Sequence, residues 1–288
     1  MEESIENTIQ KCQEEIASIE NLQEKQEQRE RIRDLWKKYK GEDEVISSKE
    51  YQKIIALQDK TNQLKVMTDI PKLDDIIGGF REGNLVVISG ATGMGKTSVA
   101  QSLTENFDEK TLWFSYEVPV AEFMTKFREA PLFYLPKSII GDTVSWVENK
   151  IVESMAKFDT RVVFIDHLHY IVDIASLKAN ISVQIGVVMR ELKKIALKWG
   201  IIIFLIAHLK KTKITDVPEI DDMRDSSFIA QEADIVMVVT RLKQEDSSEF
   251  SNEALVSVLK HRRTGKTGTV KLLYHNHRFN QVANEYDK

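Results

Sequence analysis

The chain has 288 residues, 42% of them hydrophobic and 30% charged, with a formal net charge of −5. This is enough to bury one substantial core and a smaller appendage. It excludes a protein coated in basic residues, although a ring or groove can still gather its cations on one surface for nucleic acid. The single cysteine, Cys12, excludes an intramolecular disulfide framework and a cysteine-based zinc site. No apolar run reaches a membrane span, and the start MEESIENTIQ lacks the basic and apolar stretches of a signal peptide. The expected location is the cytoplasm, bacterial or, for a viral protein, that of the host.

Residues 1–64 contain no proline and a single glycine, Gly41, and are rich in Glu, Gln, Lys and Ile, a helical composition. Ile5, Ile9, Cys12, Ile16 and Ile19 form a heptad-like stripe, and Ile32, Leu35, Trp36 and Tyr39 a second apolar face. Packing within the chain and contact with another subunit both explain them. A further helix is predicted to start at Ser47, where Ser47 and Glu50 fit a capping box, and to run over about 48–64.

From residue 65 the texture changes to short β-branched runs alternating with amphipathic helices. The runs at 85–89, 111–116, 162–165, 201–206 and 235–239 are continuously apolar. That pattern predicts strands covered on both faces, hence an α/β domain with a mainly parallel sheet flanked by helices. The helix predicted over 185–199 places Val187, Val188, Leu192, Ile195 and Ala196 on one face.

The first run leads into Gly90-Ala91-Thr92-Gly93-Met94-Gly95-Lys96-Thr97, followed by Ser98. Strand, glycine-rich loop and helix start are the context a phosphate loop needs. Backbone N–H groups wrap the phosphates, Lys96 reaches the terminal ones, and the Thr97 hydroxyl can ligate Mg²⁺. The run at 162–165 ends at Asp166, an acid placed to hold the magnesium shell. Glu117, just past another run, lies where a neighbouring parallel strand would present it beside the γ-phosphate to orient water; a solvated loop glutamate is the alternative.

The stretch VLKHRRTGKTG at 258–268 ends in a GKT, yet Lys260 occupies the position where a phosphate loop needs glycine, and an alternating strand follows over 269–274. By itself it reads as a basic hairpin turn. His167, His169, His275 and His277 form two H-x-H pairs, but no carboxylate or cysteine completes a ligand set in sequence, so no zinc site is expected.

With these pieces assembled, residues 68–280 resemble the RecA-fold motor domain of the DnaB-like replicative helicases. The likeness is greatest to the helicase half of the phage primase-helicases and to the mitochondrial helicase Twinkle. The matching stretches are IPKLDDIIGGFREGNLVVISGATGMGKTS, TLWFSYEVP, VVFIDHLHYIV, IIIFLIAHLKK, DMRDSSFIAQEADIVMVVTR and KHRRTGKTG. The resemblance implies a helical N-terminal segment (1–64), whose helix 48–64 is a linker packing on the adjacent subunit, and a RecA-like ATPase motor domain (65–288). ATP and Mg²⁺ are the implied cofactors. His208 corresponds to a polar sensor of the γ-phosphate, and Lys210, Lys211 and Lys213 to a loop that tracks single-stranded DNA in a ring's channel. Arg262 and Lys260 correspond to groups that reach the nucleotide of the neighbouring subunit, with Arg263 as a substitute. Arg241, and His275 or Tyr274, fall where family members pack on adenine.

The function so implied is an ATP-dependent replicative helicase, a homo-hexameric ring moving 5′ to 3′ on single-stranded DNA and unwinding forks, with a primase or a loader as further partner. A RecA-like recombinase or mediator that binds single-stranded DNA without unwinding is the alternative, and a regulatory ATPase without nucleic acid a third. With about 64 residues ahead of the motor, neither a primase domain nor a globular N-terminal domain is expected, and the first forty residues match nothing in the family.

Overall fold

The computed structural model describes residues 18, 22–24, 26–27, 30, 46–57, 64–107, 109–127, 131–139, 141, 143–171, 181–208, 227–244 and 249–281. The stripe from Ile5 to Ile19, the face from Ile32 to Tyr39, and Lys210, Lys211 and Lys213 lie outside the described residues. Two compact units are formed, Met1–Lys60 and Thr61–Lys288.

In the first unit, helix α1 (Ser48–Leu57) begins as the sequence predicts. The Ser47 backbone N–H and hydroxyl both donate to Glu50 Oε2, at 2.8 and 2.7 Å, and the Glu50 N–H donates back to Ser47 Oγ at 3.2 Å. This reciprocal box satisfies donors that a helix start leaves orphaned. Tyr51, Ile54 and Ile55 on α1 are exposed.

The second unit is built on a nine-stranded sheet. A small ribbon, β1 (Lys65–Val66) with β2 (Phe80–Arg81), brackets α2 (Pro71–Ile77). Then come β3 (Leu85–Gly90), α3 (Lys96–Asn106), β4 (Thr111–Ser115), α4 (Val120–Thr125), β5 (Phe133–Tyr134), α5 (Val144–Phe158) and β6 (Val162–Asp166). The chain continues with α6 (Ile181–Trp199), β7 (Ile202–His208), α7 (Ser227–Glu232), β8 (Ile235–Lys243), β9 (Phe250–His261), β10 (Gly268–His275) and β11 (Arg278–Gln281). The strand order is β11-β10-β9-β8-β3-β7-β6-β4-β5. From β8 to β5 neighbours run parallel, and β9, β10 and β11 add antiparallel strands at the other side.

The two faces of this sheet explain the continuous apolar runs. Val86, Ile88, Phe164, Phe204 and Met237 point into one cluster, shared with Val99 and Leu103 of α3. Their alternates Leu85, Val87, Val163, Ile165, Leu205 and Val236 point into another, with Ile151 of α5 and Leu192 of α6. Successive strand residues face opposite sides, so a sheet covered twice has few polar alternates, and those present, such as Ser89, Thr111 and Ser115, are themselves buried. In the first cluster Trp113, Phe164 and Phe204 stack, with centroids 4.5 and 4.6 Å apart. The Trp113 indole donates to Thr104 Oγ1 at 3.1 Å, so its one polar atom is satisfied inside the core.

The face expected for α6 needs one correction. Val188, Leu192, Ile195 and Ala196 are buried as predicted, but Val187 is 47% exposed and Met189 is buried instead. At about 100° per residue, a stripe centred on 188, 192 and 195 turns 187 out and takes in 189.

Candidate nucleotide site

The parallel register brings the chemistry to one edge of the sheet. Ser115 pairs with Asp166, Asp166 with Ile206, and Gly90 with His208. Glu117 follows β4 by two residues, so the phosphate loop, Glu117, Asp166 and His208 gather at the carboxyl ends of adjacent strands, where open α/β sheets bind ligands.

Two glycines in the loop are imposed by geometry. A Cβ on Gly90 (φ 149°) would lie 2.5 Å from the Val239 carbonyl oxygen. Gly95 caps α3 in the left-handed region at φ 89°, with Phe279 of β11 3.4 Å from where a Cβ would stand. Ala91, Thr92, Gly93 and Met94 form the turn between, and Thr97 and Ser98 continue into α3. Lys96 is buried and donates to the Ala91 carbonyl at 2.9 Å. Burial holds its ammonium below the usual lysine range, opposed by the charges of Glu117 and Asp166.

Thr97 Oγ1 donates to Asp166 Oδ2 at 2.8 Å. Asp166 is 1% exposed, and its second oxygen, Oδ1, is buried without a hydrogen-bond partner. Burial first, then the charge of Glu117, pushes its carboxyl up to about 6 against the pull of Thr97 and Lys96. A buried hydroxyl–carboxylate pair with an unused oxygen is a donor set that suits an oxygen-loving divalent ion.

Three histidines stand beside it. Glu117 Oε2 lies 3.3 Å from His167 Nδ1 and 4.0 Å from His208 Nε2. The His167 ring packs edge-on against His208, at 4.4 Å, and against Tyr170. Burial, then His208, pulls the His167 pKa down to about 4, and burial lowers His169 and His208 as well. In sequence no carboxylate completes either H-x-H pair, but the fold brings one beside a histidine of the first. Glu117, His167 and His208 bring one ligand atom each within 4.8 Å of one another. They come from the ends of three strands distant in sequence, whereas His169 belongs to the 3₁₀ turn Leu168–Tyr170 and the sequence spacing carries no trace of the cluster.

The basic stretch is a hairpin turn between β9 and β10, as read in isolation. It lies at the other edge of the sheet. His261 pairs with Ile235, the first residue of β8, and Ile235 with Val86. From there to Gly90 is about 13 Å of strand. Arg262 donates through Nη2 to the Gln231 and Glu232 carbonyls, at 2.6 and 3.3 Å, and pairs through Nη1 with Asp234 at 3.3 Å. Lys260 Nζ donates to the Gln231 carbonyl at 3.1 Å, and its pKa is lowered by burial and by Arg262. Arg263 is exposed.

Sequence reasoning missed the groups that hold these parts. Asp234 accepts the Leu85 N–H and the Lys193 ammonium on Oδ2, at 2.8 and 2.6 Å, besides pairing with Arg262. His261 is buried; Thr264 N–H donates to its Nδ1, so Nε2 carries the proton and donates to the Ile77 carbonyl at 2.9 Å. Phe279 underlies Gly95, and its N–H donates to Ser102 Oγ at 2.9 Å. Tyr274 packs on Phe279, with centroids 4.9 Å apart, while His275 points to the opposite, exposed face of β10. The Arg241 N–H donates to Met94 Sδ at 3.4 Å, and its guanidinium stacks on Phe250 and donates to Ser251 O at 2.8 Å. Arg241 and Tyr274 thus border the phosphate loop; His275 does not.

Fold and site together define a nucleotide-binding protein of the RecA-like P-loop class. The family model for the DnaB-like helicase C terminal domain matches residues 65–132 and 120–283, and the chain belongs to that family. It is 24% identical over 265 residues to the replicative DNA helicase DnaB of Buchnera aphidicola from Acyrthosiphon pisum, covering 77% of this chain and 57% of that one. It is 25% identical over 250 residues to DnaB of Mycoplasma genitalium, covering 70% and 52%. The chain thus spans little more than half the length of these curated relatives. Among solved structures, an ATPase domain aligns with TM-score 0.69 and 22% identity over 83% of this chain and 100% of its own. A DnaB-like replicative helicase studied with primase aligns with TM-score 0.67 and 21% identity, over 90% and 72%. No helix among the described residues is long and apolar enough to cross a membrane.

Proposed function

We propose that this chain is the motor of an ATP-dependent replicative DNA helicase, a ring that moves 5′ to 3′ on single-stranded DNA and hydrolyses ATP between subunits. The observation that carries the reading is the separation of Arg262 and Lys260 from their own phosphate loop, at the opposite edge of the sheet. Cations so placed serve a nucleotide only if a second subunit presents it. A motor in which each subunit completes its neighbour's site is a closed ring or a filament. Family membership favours the helicase over the recombinase reading.

In this reading Glu117 orients the attacking water, Lys96 and the loop amides bind the phosphates, and His208 senses the γ-phosphate. Arg262 and Lys260 of one subunit stabilise charge in the transition state at the next. Thr97 and Asp166 would hold Mg²⁺, which neutralises phosphate charge when bound. Tyr274 and Arg241 border the position of the base. Lys210, Lys211 and Lys213, directly after β7, contact the DNA backbone. A hexameric ring, contact of α1 with the adjacent subunit, and a primase or loader partner belong to the same reading.

The test is ATP hydrolysis against protein concentration, with and without single-stranded DNA, in wild type and Arg262→Ala. Specific activity that rises with concentration, responds to DNA and is lost in the variant supports the ring motor. Activity per subunit that is flat, indifferent to DNA and untouched by the substitution removes it.

A further inference from the structure

We infer that Glu117, His167 and His208 form a second, transition-metal site on the wall of the nucleotide site, able to hold one Zn²⁺-class ion in the nucleotide-free protein. Its donors are two imidazole nitrogens and a carboxylate oxygen from the ends of β6, β7 and β4. Two Glu117 contacts, 3.3 Å to His167 Nδ1 and 4.0 Å to His208 Nε2, already approach the spacing of about 3.4 Å between ligands of a four-coordinate zinc. All separations in the set are within 4.8 Å, so zinc binding requires a closure of at most about 1.4 Å. The Glu117 and His208 side chains are 40% and 25% exposed, so both have room to rotate.

The burial of His167 points the same way. The residue is only 9% exposed, and its Nδ1 has the Glu117 carboxylate at 3.3 Å, outside good hydrogen-bond geometry. A buried imidazole nitrogen set against a carboxylate in this way is a pair that an ion between them would satisfy. Asp166 Oδ1 has no hydrogen-bond partner, but the oxygen donors of Asp166 and Thr97 suit Mg²⁺, whereas two imidazoles and one carboxylate select borderline ions such as Zn²⁺ or Co²⁺. The two sites therefore differ in ion class as well as in ligands.

An ion held here occupies the carboxylate that hydrolysis requires, so zinc inhibits the motor and ATP competes with it. That half of the inference rests on the proposed function; the binding half does not. The first experiment titrates the nucleotide-free full chain with Co²⁺ and reads its visible absorption. The expected result is an intense four-coordinate spectrum saturating at one ion per chain and bleached by Zn²⁺. Affinity should fall about ten-fold or more in His167→Ala, in His208→Ala and in Glu117→Gln. Glu117→Gln is exposed and shape-conserving, so it keeps the test valid if removing a buried histidine disturbs folding. His277→Ala, from the other H-x-H pair, should leave the spectrum unchanged. Co²⁺ that stays octahedral and unsaturated, or a site lost in His277→Ala and kept in Glu117→Gln, overturns the assignment. The second experiment adds Zn²⁺ to Mg²⁺-ATP hydrolysis at a free Zn²⁺ level held constant by a metal buffer, because ATP itself chelates the ion; inhibition relieved by excess ATP is expected and inhibition blind to ATP overturns the overlap. A chain that binds Co²⁺ as described yet hydrolyses no ATP would sink the motor reading and leave the metal site standing.

Discussion

Asp166 illustrates how one side chain is held at a cost to stability for the sake of a site. Its folded-state pKa of about 6 lies above the ordinary carboxylate value of 3.8, so the native state binds the proton more tightly than the unfolded chain. The sign follows from linkage: the penalty is absent below the unfolded value of 3.8, grows as pH rises toward about 6 and is complete above it. At pH 8 it is on the order of 3 kcal/mol. Asp166→Asn keeps an acceptor for the Thr97 hydroxyl and removes the buried charge. The variant should resist urea better than wild type at pH 8, by about 1 to 3 kcal/mol, with the gain fading between pH 6 and pH 4. Hydrolysis should be lost in the same variant. Asp234 presents the opposite case, a buried carboxylate already met by an ammonium, a guanidinium and a backbone N–H. Asp234→Ala strands Lys193 and frees Arg262 from one partner, so urea denaturation should record a loss of about 3 to 5 kcal/mol.

At the scale of elements, the strands of the parallel sheet were legible because burial on both faces leaves few polar alternates, and the phosphate loop because its spacing is tied to a strand before and a helix after. The capping box of α1 was legible for a local reason, since both partners lie within one turn. What escaped is bonded across the sequence: Asp234 to Leu85, His261 to Ile77, Phe279 to Ser102. No periodicity encodes such pairs. The ligand set of Glu117, His167 and His208 escaped for the same reason, while the H-x-H spacing drew the eye to neighbours in sequence. Helix α6 was found with a face rotated by one residue, because Val187 and Val188 are chemically alike and only packing distinguishes them. Phe164, stacked between Trp113 and Phe204 and fully buried, tests the sheet itself. Phe164→Ala should lower the unfolding free energy by about 3 to 5 kcal/mol, read from the denaturant midpoint at unchanged slope. On α1, Tyr51, Ile54 and Ile55 are exposed apolar groups. If this helix packs on a neighbouring subunit, Ile54→Asp with Ile55→Asp should shift the sedimenting species to monomer while the thermal transition of the motor unit stays put.

For the whole molecule, the sheet carries its candidate catalytic groups on two opposite edges, and under the proposed function the distance between them would leave an isolated subunit an incomplete enzyme. The phosphate loop, Glu117 and Asp166 occupy the edge where parallel strands end; Arg262 and Lys260 hang from the edge where they begin, held on the carbonyls that close α7. Division of labour between edges makes a specific prediction for mixtures. Arg262→Ala subunits keep Glu117, and Glu117→Gln subunits keep Arg262, and each assembly alone should be inactive. In an equimolar co-assembly, about a quarter of the interfaces join an intact Glu117 to an intact Arg262. Activity should therefore return to roughly a quarter of wild type, provided the subunits are shown to exchange by a tag pulled down from the mixture. The prediction applies to interfaces that turn over independently, because no ring mixed from these two variants has more than half of its interfaces intact. No recovery in verified mixed rings would count against the division between subunits and place Arg262 in service of its own subunit's nucleotide, against the separation of the two sheet edges.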